Sequence, residues 1–180
     1  MSFNAKVAIL LISLPTGLFN EAKAEDVPVT SRHFVQTFLG VCGQWTGFYE
    51  RTIQGIEAMG AEELSAEQQG LAAPARPDVE SKSYVLKDDN GPLALGVSRA
   101  LIDGVQSVGC VVAGDQVNVE EIVEILLPVL NLGSPRVDQS NMGQRSRIWD
   151  VYLDNGKGIL IATDGAPMGI DTISIALMSP

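Results

Sequence analysis

Three turn signals restrict this chain more than any other feature. Asp88-Asp89-Asn90-Gly91, Asp103-Gly104 and Asp154-Asn155-Gly156-Lys157 each separate two runs of apolar residues that alternate with polar ones. Asx-Gly pairs accept the positive φ of short hairpin turns, so each signal calls for an antiparallel return. Strands are therefore expected at Ser83–Lys87, Leu93–Leu101 and Val105–Ala113, and again at Arg147–Leu153 and Gly158–Thr163. A last strand follows where Ile173, Ile175 and Leu177 alternate with Thr172, Ser174 and Ala176.

The helical signals fall ahead of each set of strands. Phe34, Val35, Phe38, Leu39 and Cys42 recur at the spacing of one helical face, which predicts a helix over Ser31–Gly43. Phe48, Thr52, Ile56 and Met59 predict a second helix or a bent continuation of the first. Gly60 to Ser83 reads as a surface loop, with a capping pattern at Ser65 and Gln68 and an extended connector at Ala73–Pro77. A core helix is expected after Asn118, capped reciprocally by Glu121 and kinked or ended by Pro128. The order is α-βββ-α-βββ. Its simplest architecture is an α+β fold with an antiparallel sheet of about six strands and helices packed on one face.

Two cysteines complete that picture. Cys42 belongs to the apolar stripe of the first helix, and Cys110 shares a strand face with Val108 and Val112. A Cys42–Cys110 disulfide would staple helix to sheet, with Trp149, Val151 and Leu153 on the same inner side. Disulfides need an oxidising compartment, and residues 1–24 supply the route to one. Lys6 precedes an apolar core, Val7 to Phe19, and Ala22-Lys23-Ala24 puts small residues at both cleavage subsites, so cleavage is expected between Ala24 and Glu25. The apolar run is broken by Pro15 and Gly17 and falls short of the roughly 20 residues that span a bilayer. A periplasmic or secreted protein follows, with residues 25–180 as one α+β domain. The chain holds no Asn-x-Ser/Thr acceptor, which favours a bacterial source.

Charge narrows the partners. The full chain carries 12 basic and 22 acidic residues, a net of −10, and loss of Lys6, Lys23 and Glu21 with the leader makes it more acidic still. Such a surface repels phosphate backbones and anionic lipid, which disfavours nucleic-acid and membrane-surface roles. No later segment is apolar for long enough to span a membrane.

Motifs for catalysis are sparse. His33 is the single histidine, and no metal-ligand spacing or phosphate loop occurs, so neither a metal nor a cofactor is expected. Gly96-Val97-Ser98-Arg99-Ala100 resembles a nucleophile elbow in five residues. Its one available base, His33, precedes the serine, and the alternating βα pattern of the α/β-hydrolases is missing. Ser98 is better read as a polar strand position. A more distinctive stretch is Leu132 to Arg147, read as a loop, where Arg136, Arg145 and Arg147 cluster among Gln139, Ser140, Asn141 and Gln144. Guanidinium groups suit bidentate recognition of carboxylate or phosphate. The bland alternative is a solvated connection whose arginines pair with surface acids such as Asp138 and Asp150. The sequence thus points to an exported, non-catalytic binding or accessory domain whose partner is a protein or a small anionic ligand. The alternatives are a small serine hydrolase using Ser98 and His33, or a structural cell-envelope protein.

Overall fold

The Thr30 hydroxyl accepts the His33 N–H at 3.2 Å and starts α1, Ser31–Phe38, whose Phe34, Val35 and Phe38 face inward as the periodicity requires. The computed structural model describes residues 30–178 apart from 46, 70–76, 116, 142, 155 and 166–169. The proposed leader and the Ala24–Glu25 cleavage point lie outside the described residues.

The helix expected over Ser31–Gly43 changes pitch at Leu39, and Leu39–Gly43 forms a π-helical turn that carries Cys42 into the core. Such a turn inserts a residue into the helical repeat and re-aims the side chains after it. Thr52 ties down the corner that follows, donating to the carbonyls of Trp45 at 2.9 Å and Phe48 at 3.1 Å. Helix α2 runs Tyr49–Ala58 and buries Tyr49, Thr52, Ile53 and Ile56.

Among the described residues eight strands follow instead of six: β1 Glu62–Glu63, β2 Val79–Leu86, β3 Leu93–Ile102, β4 Val105–Asp115, then β5 Val137–Asn141, β6 Gln144–Leu153, β7 Gly156–Asp164 and β8 Ile170–Met178. The third helix, α3, Val119–Val129, lies between β4 and β5. The two strands missed by the sequence reading are both edges. Glu62-Glu63 is too short to show alternation, and β5 is nearly all polar and exposed, so neither carries a burial pattern. The stretches read as loops at Gly60–Ser83 and Leu132–Arg147 therefore each hide an edge strand. The corrected element order is α-α-ββββ-α-ββββ.

All eight strands form one antiparallel sheet in the order β1-β2-β3-β4-β8-β7-β6-β5. Two four-stranded meanders thus meet at a β4–β8 seam. Leu95, Val112, Leu160 and Trp149 occupy the inner face with Cys110, and all are buried. All three helices lie on this face. A Cβ on Gly114 would come within 3.0 Å of Val117, 3.2 Å of Leu93 and 3.5 Å of Phe34, so a glycine lets α1 settle onto β4. Cys42 and Cys110 are disulfide-bonded with their Cα atoms 5.5 Å apart, as the two local patterns imply. Asp103 and Gly104 have φ of 51° and 81° at the β3–β4 turn. Asn118 caps α3 by accepting the Glu121 N–H at 3.1 Å, but the Glu121 carboxylate does not return to it. It accepts the Ser31 hydroxyl at 2.6 Å and so joins the starts of α1 and α3. Among the described residues no helix is long and apolar enough to cross a membrane.

Candidate functional site

Successive residues of an antiparallel strand face opposite sides, so β6 directs Arg145, Arg147 and Trp149 towards the helices and Asp150 away from them. This alternation divides the three arginines of the sequence cluster. Arg136 donates to Asp150 at 3.2 Å on the outer side of the sheet. Arg145 and Arg147 come together on the inner side, beneath the first turn of α3.

Glu120 joins them. Its Oε1 accepts Arg145 Nη1 at 2.8 Å and its Oε2 accepts Arg147 Nη1 at 2.9 Å. Arg145 also holds Asp138 in a two-pronged pair, Nε to Oδ1 at 2.9 Å and Nη2 to Oδ2 at 2.7 Å. That hydrogen bonding lowers the pKa of Asp138 and raises that of Arg145. Arg147 is only 7% exposed, and its guanidinium carbon lies 5.6 Å from the centre of the Trp149 ring. The indole N–H donates to the Gly133 carbonyl at 3.0 Å, which fixes the ring that supports the cation. Two guanidiniums therefore converge on one carboxylate, and that Glu120 side chain is 54% exposed. All three arginines of the cluster engage carboxylates. Glu120 stands in the first turn of α3, and nothing local in the sequence marks a partner that lies 25 to 27 residues away.

The other candidates are not brought together. His33 Nε2 lies 3.3 Å from Asp88 Oδ2, linking α1 to the β2–β3 turn. Ser98 stands in register with Ser81 and Gly109 on the sheet face opposite the helices, so β3 holds it away from His33. No cluster of three or more metal-ligating side chains occurs among the described residues. A cavity of about 250 Å³ lies between the π turn and the β6–β7 turn, lined by Gly43, Gln44, Tyr152, Leu153 and Asp154.

One carboxylate missed by the sequence reading is Asp171, 6% exposed, at the start of β8. Burial pushes its pKa up to about 6, with Asp164 and Asp115 adding to the rise, against backbone N–H groups of Gly165 and Val117 that oppose it. The unfolded value is about 3.9. Folding thus favours the neutral acid. Its contribution to stability is full below about pH 4 and is lost as the pH rises through about 6. Urea unfolding of Asp171→Asn beside the natural protein should show the variant gaining up to about 3 kcal/mol of relative stability between pH 4 and pH 7.5. A difference that stays constant across that range would mean that Asp171 ionises freely in the fold.

No family model, curated protein or solved structure matches this chain.

Proposed function

We propose that the chain is an exported, non-catalytic binding domain that takes a carboxylate or phosphate group of its partner at Arg145 and Arg147. The observation that carries this reading is the convergence of both guanidiniums on the half-exposed Glu120 carboxylate. A site that two cations build around one internal anion has the chemistry to accept an external anion in its place. Trp149 and the buried stem of Arg147 keep one cation in position, so less ordering is needed on binding than for a free surface arginine. Export is supported by the leader-like residues 1–24 and by the Cys42–Cys110 disulfide.

Inorganic phosphate and succinate serve as probes, read by the rise in melting temperature. At about 100 times its Kd a probe stabilises by about 2.7 kcal/mol. Arg145→Gln should weaken probe binding roughly tenfold or more, because a hydrogen bond to a charged group is worth about 1.5–3 kcal/mol. Glu120→Gln should tighten it, since the competing internal charge is gone. Arg136→Gln, on the other side of the sheet, should leave it unchanged. If the first two variants bind the probes as the natural protein does, the arginines are structural ion pairs and this reading fails.

A further inference from the structure

We infer that the cavity between the π turn and the β6–β7 turn is a second ligand site, built for a neutral sugar ring. Gly43 and Gln44 form one side of its wall, and Tyr152, Leu153 and Asp154 form the other. The extra residue of a π turn re-aims the side chains after it, and Gln44 is the residue that follows this one. Tyr152 is 67% exposed, the highest value of any aromatic side chain among the described residues. A ring of that size left in water forgoes the burial that stabilises aromatic side chains elsewhere in the fold. Its polar neighbours are open as well. Among the described residues neither the Gln44 amide nor the Asp154 carboxylate has a hydrogen-bond or ion-pair partner within the chain. The carboxylates around the arginine pair are by contrast all engaged. Arg145 and Arg147 also stand towards the other end of β6, so the two sites are separate.

Charge and shape select the ligand. Lys157 stands opposite Tyr152 in the β6–β7 register, and its Nζ lies 5.2 Å from the centre of the Tyr152 ring. A cationic ligand brought to the ring would meet that ammonium, and an anionic one would meet the Asp154 carboxylate. The two charges oppose ligands of either sign and leave a neutral polar one. Hydrogen-bonding capacity points the same way. The Gln44 amide both donates and accepts, the Asp154 carboxylate accepts, and the Tyr152 hydroxyl does either. Neighbouring hydroxyls of a sugar give and take hydrogen bonds in this combination. The carbon–hydrogen face of a pyranose is apolar and packs flat on an aromatic ring, which an exposed tyrosine supplies. Leu153, partly buried against the core, extends the apolar side of the wall. Size agrees as well. Sites for drug-sized molecules run from about 300 to 1,000 Å³, so a cavity of about 250 Å³ suits a single ring.

Amide-shift NMR titration of the natural, oxidised protein tests the assignment, with the methyl pyranosides of glucose, galactose and mannose and with N-acetylglucosamine as probes. The expected result is saturable binding of at least one of them at millimolar concentration, with the largest shifts at Gln44, Tyr152 and Asp154. Tyr152→Ala and Asp154→Asn should each weaken that binding about tenfold or more, with circular dichroism and the intact disulfide showing that both variants fold. Inorganic phosphate and succinate, the probes of the arginine pair, should not displace the sugar, so failure of this site and failure of the anion reading are told apart. No saturable shift with any of the sugars at tens of millimolar overturns the proposal. So does a sugar that binds both variants as it binds the natural protein. A cavity that takes tetramethylammonium or phosphate in preference to every sugar overturns it equally.

Discussion

Removing the Cys42–Cys110 bond by the double change to serine should lower the free energy of unfolding by about 4 kcal/mol. The two cysteines are 68 residues apart, and closing a loop of that length removes chain entropy from the unfolded state in proportion to the logarithm of its size. For a domain of this size the loss should appear as a fall of roughly 8–16 °C in melting temperature. The effect is large because the bond joins the two layers of the fold: Cys42 lies in the π-helical turn after α1 and Cys110 on a central strand. Both cysteines are almost fully buried, so a reductant should reach them mainly through unfolding. Differential scanning calorimetry with and without the bond measures the loss, and thiol titration of the native oxidised protein should find no free sulfhydryl. Two titratable thiols, or a melting temperature unmoved by the double change, would contradict this account.

Trp149→Ala should be of similar size, destabilising by about 3–5 kcal/mol as large-to-small changes of buried aromatic residues do. Trp149 is 2% exposed and sits on the inner face opposite Leu160. Its loss would open a void under α3, leave the Gly133 carbonyl without its donor and remove the ring beneath Arg147. Trp149→Phe separates these contributions. It keeps most of the apolar volume but not the indole N–H, so it should cost clearly less, about 1–2 kcal/mol for the orphaned carbonyl and the smaller ring. Equal losses for Ala and Phe would place the weight on the Gly133 hydrogen bond rather than on packing. Urea midpoints of the three proteins decide between them.

Residues that act through their immediate neighbours were legible in the sequence. The 3.6-residue spacing of Phe34, Phe38 and Cys42 announced one buried helical stripe, and the period-two pattern around Val108, Cys110 and Val112 announced a strand with the same inward side. Those two patterns together implied the disulfide. The Asx-Gly turns established antiparallel pairing because their backbone conformation permits little else. Pairing of the arginines with nearby Asp138 and Asp150 was legible, but the edges and the reach of Glu120 to Arg145 and Arg147 were not. The glutamates of β1 and the polar residues of β5 have one strand neighbour and no buried side, so burial leaves no imprint on their composition.

The sequence by itself determined the local patterns: which residues turn, which coil, which alternate, and that Cys42 and Cys110 both point inward. Only the tertiary structure decided that β4 and β8 meet at the centre of one sheet. The same is true of the parting of Arg136 from Arg145 and Arg147, the capture of both by Glu120 and the burial of Asp171 beside Asp164. The physical reason is range. Periodicity and turn conformation depend on contacts within a few residues, and they are written into composition. Strand order, the reach of Glu120 to two arginines and the solvent exposure of a carboxylate depend on groups that folding brings together from far along the chain. Their energies act through space, so no neighbour in the sequence records them.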